Sequence, residues 1–148
     1  MKIFGNRRKD SLILEVYIIM RITDTTSIEK LVTSRVKSPA GAMIALDLSD
    51  YQSLTDQLGK PSLASDTGEC GSIDKLCSII ENDLTEEDRN LAKGVMLFVM
   101  TSRKDGMLMK DLQRIDSQFG APEKGCFRRG MWFDLPEGKH RVISIIWK

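Results

Sequence analysis

Three cysteines, one histidine and several runs of like charge are the side chains through which this sequence could do chemistry. Cys70 and Cys77 have six residues between them, and Cys126 and His140 follow far downstream. A tetrahedral metal site takes two ligands from a tight C-x₂₋₄-C knuckle, a pairing the sequence lacks, so no metal ligand is expected. His140 is the lone imidazole and stands in a Lys139-His140-Arg141 triplet at a turn. Flanked by cations there, it is expected to be solvated, a poor start for an oriented general base. A nucleophile–base pair of Cys126 and His140 on neighbouring strands is the arrangement a small enzyme with an unrecognised site would use. There is no G-x-S-x-G elbow and no glycine-rich phosphate loop. Glu86-Glu87-Asp88 fit the first turn of a helix, where carboxylates meet the positive end of its dipole. Asp47 and Asp50 could approach each other, without a second spaced pair to make an acid–base site. The expectation is a protein that is not an enzyme and uses no cofactor.

Charge is the second chemical resource. The chain has 148 residues, one domain's worth, with 22 Lys+Arg against 21 Asp+Glu. That near-neutral total excludes binding by bulk positive charge, yet it is a cancellation. Residues 1–45 hold eight Lys/Arg against four Asp/Glu, and residues 46–92 hold three against eleven. Residues 93–148 then hold eleven against six, so the order is basic, acidic, basic. Separation of this kind gives local potential unless folding brings the blocks together. The candidate binding residues are Lys2, Arg7, Arg8 and Lys9 at one end, with Arg128, Arg129, Lys139 and Arg141 at the other. They point to an anionic partner (nucleoprotein, nucleic acid or membrane surface), to another protein, or to head-to-tail self-association of unlike patches.

The elements that must position these groups read as an α+β fold, a small mainly antiparallel sheet packed against helices and ending in a β-hairpin. Residues 1–10 read as a basic N-terminal arm and 11–148 as a single domain. The apolar, β-branched run ending near 22 predicts a strand from 12. Helical spacing follows from Ile28 to Val36, a strand is expected over 42–48, and a short helix over 48–58. Residues 59–71, rich in Gly, Ser and Pro, are expected to be a mobile loop. Ser72 can cap a helix carrying Ile73, Leu76, Cys77 and Ile80 on one face, and Thr85 can cap the next. That second helix is expected to run on through Val95–Met100, with a central strand as the other reading of this apolar stretch. A further short helix over 109–119 and two strands, 130–135 and 141–147, joined across Pro136-Glu137-Gly138-Lys139, complete the chain. Met96, Met100, Met107 and Met109 could form an adaptable contact surface or fill the core.

The longest apolar candidate, Leu12–Met20, is nine residues long and interrupted by Glu15, too short to span a membrane. Without a small-residue cleavage site after it, an intracellular, unsecreted chain with reduced thiols is expected. Two resemblances of arrangement suggest uses for the basic segments. The helix, the Lys110–Phe119 helix and the terminal strands bearing Arg128, Arg129, Lys139, His140 and Arg141 resemble the order of a winged-helix domain, which implies nucleic-acid contact by residues 85–148. The basic arm, strand, paired helices and terminal strands together resemble the small matrix proteins of negative-strand RNA viruses. That likeness implies a contact with anionic lipid through Lys2-Ile3-Phe4-Gly5 and Arg7-Arg8-Lys9.

Overall fold

The run Val95–Met100 decides the architecture. In the computed structural model it belongs to a nine-residue strand, β4 (Gly94–Ser102), every residue of which is buried. The structure describes residues 20–36, 42–44, 46–104, 107–120 and 126–148. Alternate side chains of a strand leave on opposite faces. Val95, Leu97 and Val99 enter one apolar core, while Met96, Phe98 and Met100 enter another. A strand covered on both faces reads as a continuous apolar run, which periodicity cannot tell from a buried helix, and the helix expected here is corrected to a strand. The helix that Thr85 caps is correspondingly short, α4 (Glu86–Leu91), and it ends before the strand begins.

Among the described residues six strands form one sheet in the order β1 (Met20–Ile22), β3 (Leu63–Asp66), β6 (Arg141–Trp147), β4, β5 (Phe127–Leu135), β2 (Ala42–Ile44). Among the described residues only the β4–β5 pair is parallel. Its crossover carries helix α5 (Met109–Asp116) and a 3₁₀ turn, Ser117–Phe119. The two terminal strands are present and connect through Pro136–His140, where Lys139 N–H donates to the Pro136 carbonyl at 3.1 Å. They are split rather than adjacent. β4 sits between them, bonded to β6 on one side and β5 on the other, because its apolar side chains bury it and its polar backbone then needs partners along both edges. Residues 85–148 thus run helix, strand, helix, strand, strand, not in the helix–helix–hairpin order of the winged-helix resemblance.

Helices cover both faces, so the fold is α+β, as expected, with layers on either side of the sheet. On one face lie α3 (Ile73–Asp83), through Leu76, Cys77, Ile79 and Ile80, and α5, through Leu112 and Ile115. On the other lie α1 (Thr25–Val36), through Ile28 and Val32, and α2 (Leu48–Leu58), through Tyr51 and Leu54. The caps are those the sequence announces: Ser72 accepts from Lys75 N–H at 3.1 Å, and Thr85 from Asp88 N–H at 3.0 Å. The stretch 59–71 is a correction. Its middle is β3, four buried residues paired with both β1 and β6, with Ser65 opposite Ser144 and Asp66 opposite Ile143. Ladder partners on both edges outweigh the weak strand propensity of Ser and Asp. Of the strand expected over 12–22, Met20–Ile22 is described as β1. The remainder, with the basic arm 1–10, lies outside the described residues. No helix among the described residues is long and apolar enough to cross a membrane.

Candidate functional site

The sequence placed its terminal cations in one functional set, and the fold gives Arg128, Arg129 and Arg141 each a carboxylate. Arg128 and Arg129 are consecutive on β5 and therefore leave on opposite faces of the sheet. Arg128 reaches Asp50 on α2 at 2.8 Å, and Arg129 pairs with Asp116 at the end of α5. Arg141, at the start of β6, holds Asp66 with two hydrogen bonds, its Nε at 2.8 Å from one oxygen and Nη2 on the other. The hydrogen bond to the Asp66 carboxylate raises the Arg141 pKa further above its usual value. Lys139 is exposed on the β5–β6 connection. The acidic middle of the chain is thus folded against the basic C-terminal third, and Arg128, Arg129 and Arg141 are dispersed over two faces and two ends of the sheet. Lys2, Arg7, Arg8 and Lys9 lie outside the described residues.

Cys126 and His140 do not meet. The Cys126 carbonyl accepts from Val95 N–H at the first turn of β4's ladder, while Arg141, next to His140, is the partner of Met100. Five strand residues at ~3.3 Å each separate those positions by about 17 Å. His140 is buried, 6 % exposed, rather than solvated. Its backbone forms a bridge with Cys70, with reciprocal N–H to carbonyl bonds of 2.7 and 2.8 Å, and its Nδ1 lies 2.8 Å from the Thr101 hydroxyl. Beside it, the Thr67 hydroxyl accepts from Val142 N–H at 3.0 Å and donates to the Gly68 carbonyl at 2.9 Å. These groups stitch the segment after β3 to the start of β6. Burial raises the pKa of both the Cys70 and the Cys77 thiol, opposite to what a nucleophilic thiolate requires. The cluster therefore supplies buried hydrogen bonds.

The surface that combines apolar and cationic groups lies elsewhere, at the β4–α5 connection. Leu108 is 62 % exposed and Met109 65 % exposed, at the N-terminal end of α5. The helix start is held by Asp111, whose carboxylate accepts from Leu108 N–H at 3.2 Å, so the pair is displayed on a formed turn. Arg103, Lys104 and Lys110, near it in the chain, are exposed, and Lys104 lies 3.5 Å from Glu137, which is exposed too. Such an ion pair in water contributes little and leaves the lysine available. The methionine signal in the sequence divides accordingly: Met96 and Met100 are core, Met107 packs at its margin, and Met109 faces outward.

No family model matches the chain, and no curated protein matches it by sequence. Solved structures do. A mutant of FtsZ from M. jannaschii superposes with a TM-score of 0.55 at 17 % identity, over 83 % of this chain and 39 % of that one. An FtsZ dimer from the same organism gives 0.52 at 16 % identity, over 83 % and 38 %. The likeness is one of fold. This chain spans well under half the length of either FtsZ chain, and what it shares with them is the layered α+β arrangement described above.

Proposed function

We propose that this chain is a non-enzymatic interaction and assembly domain that seats on an anionic membrane surface through Leu108 and Met109. The observation carrying this reading is two adjacent, well-exposed apolar side chains at a helix start, with the exposed cations Arg103, Lys104 and Lys110 within five residues of them in the chain. Withdrawing a large aliphatic side chain from water is worth roughly 1.5–3 kcal/mol, and each nearby cation adds about 1 kcal/mol at an anionic leaflet. Lys2, Arg7, Arg8 and Lys9 add to the same attraction. Nucleic acid would satisfy the cations but has no apolar layer for Leu108 and Met109 to enter, which favours lipid among the anionic partners.

Vesicles containing phosphatidylserine are expected to bind the full chain in co-sedimentation, with affinity falling as salt rises. Replacing both residues, Leu108→Ser with Met109→Ser, is expected to weaken binding at least tenfold, about 1.4 kcal/mol. The unfolding midpoint should barely move, since both side chains are solvated in the folded state. A flat response down to low ionic strength would sink the proposal. Binding to duplex DNA that is indifferent to both substitutions would replace it with the nucleic-acid reading.

A second observation favours self-association as the accompanying property. Helix α4 exposes Glu86 and Glu87 together with Leu91, 48 % exposed and one turn beyond Glu87. This acidic, apolar patch precedes β4, and the cationic, apolar patch follows it, so about 30 Å of strand separates them. Unlike patches at opposite ends join copies head to tail. The matching FtsZ fold occurs in a structure of a dimer. Sedimentation velocity is expected to show salt-sensitive association that Lys110→Glu weakens and the added Glu87→Lys restores. A monomer at every concentration and salt would remove this second reading alone.

A further inference from the structure

A cleft of about 290 Å³ opens where α3, α4 and the α5–3₁₀ segment converge, lined by Cys77, Glu81, Arg89, Arg114, Ser117 and Gln118. It holds space for roughly ten waters at ~30 Å³ each. Its two guanidiniums are not equivalent. Arg114 pairs with Asp74 at 2.6 Å on the protein surface. Arg89 donates from Nη2 to the Glu81 main-chain carbonyl at 3.2 Å, its Nε is buried with no partner, and no described carboxylate lies within ion-pair distance of it. Gln118 donates from Nε2 to the Cys77 carbonyl at 2.8 Å. That acceptor fixes the orientation of the amide, and leaves Oε1 buried and unpartnered. The position of Arg89 is itself fixed by close backbone approach: Gly120 has φ 80°, and a side chain there would collide with the Arg89 carbonyl.

The cleft therefore lacks two things at once, an acceptor for guanidinium N–H groups and a donor for the Gln118 oxygen. An oxyanion that still carries a proton provides both. We infer that this cleft binds a protonated phosphate group, free or as a small phosphomonoester. Its P–O⁻ oxygens accept from Arg89 and Arg114, and its P–OH donates to Gln118 Oε1. The space beyond one phosphate accommodates the organic portion of a small ester. Sulfate has the same shape and the same acceptors but no proton near neutral pH, which makes it the decisive comparison.

The test is titration of the full-length chain with inorganic phosphate, glycerol phosphate and sulfate, followed by calorimetry and by amide NMR shifts. Saturable binding of inorganic phosphate with a Kd of about 1 mM or tighter is expected, with shifts at Arg89, Ser117 and Gln118. Sulfate should bind at least tenfold more weakly. Tighter binding of glycerol phosphate identifies a phosphomonoester as the occupant, and preference for inorganic phosphate identifies the free ion. Arg89→Gln should reduce affinity at least tenfold. Arg114→Gln, at a half-exposed position whose one ion pair is on the surface, should do likewise and guards against a misfolded Arg89 variant. Equal binding of sulfate and phosphate, non-saturating shifts, or affinity unchanged in both variants would overturn the inference. The cleft shares no residue with the Leu108–Lys110 surface, so either can fail while the other stands.

Discussion

Trp147→Ala is expected to lower the unfolding free energy by about 4 kcal/mol, the range for removing a large buried aromatic side chain. One residue from the end of the described chain would ordinarily be a tolerant place for substitution. Here the indole is fully buried in the core shared with Tyr51, whose ring centre lies 5.8 Å away. Its Nε1–H donates to the Gly59 carbonyl at 3.1 Å, and its own carbonyl accepts from Lys93 N–H at 2.6 Å. Alanine would leave a cavity between α2 and the sheet and strip the Gly59 carbonyl of this donor. Trp147→Phe separates the two contributions, retaining most of the packing and losing the hydrogen bond, for about 1–1.5 kcal/mol plus a smaller volume term. Urea unfolding provides the measurement, with the midpoint lowered and the slope preserved. A loss under 1 kcal/mol for alanine would mean that the ring does not support this core.

Asp88→Asn should cost about 2 kcal/mol, because it removes the charge of a buried carboxylate that two partly exposed cations share, and leaves them facing an amide. Asp88 is 3 % exposed. Its carboxylate accepts from Thr85 N–H at 3.0 Å to complete the cap of α4, and receives Lys148 Nζ at 2.6 Å. Arg21 on β1 lies 3.8 Å away and also grips Asp83 at 2.7 Å. One side chain thus ties both edges of the described chain to the same helix. Burial pushes its carboxyl upward, but the bonds from Lys148 and Thr85 outweigh burial and hold the pKa below the ordinary carboxylate value. A lowered folded pKa makes the contribution complete above the unfolded carboxyl's pKa, and it is lost as pH falls through the folded one. The native protein should therefore lose stability on acidification more steeply than the Asn variant, and the gap between them should close at the acid end. Parallel pH–stability curves for the two proteins would refute this role.

Much of the architecture was legible locally. The caps at Ser72 and Thr85, the helix over 48–58 and the apolar faces of α1 and α3 follow from the residues within one or two turns. Capping and amphipathicity act over a few residues and leave their mark in order. The strand character of Val95–Met100 left no such mark, because two covered faces erase the alternation that distinguishes a strand. For β3, the deciding partners are β1 and β6, the latter some eighty residues away in sequence.

The candidate sites divide along the same line. By itself the sequence determined the absence of a metal knuckle and of a glycine-rich phosphate loop, the basic–acidic–basic order of charge, and an α+β class. Tertiary structure alone decided that Arg128, Arg129 and Arg141 meet Asp50, Asp116 and Asp66, that His140 is buried beside Thr101, and that Cys126 lies at the other end of β4. It also decided that Leu108 and Met109 remain in water and that Arg89 and Gln118 line one cleft. The physical reason is range. Composition and short spacing record what a residue does with its neighbours in the chain, whereas charge compensation and burial depend on which distant segment the sheet order places against it.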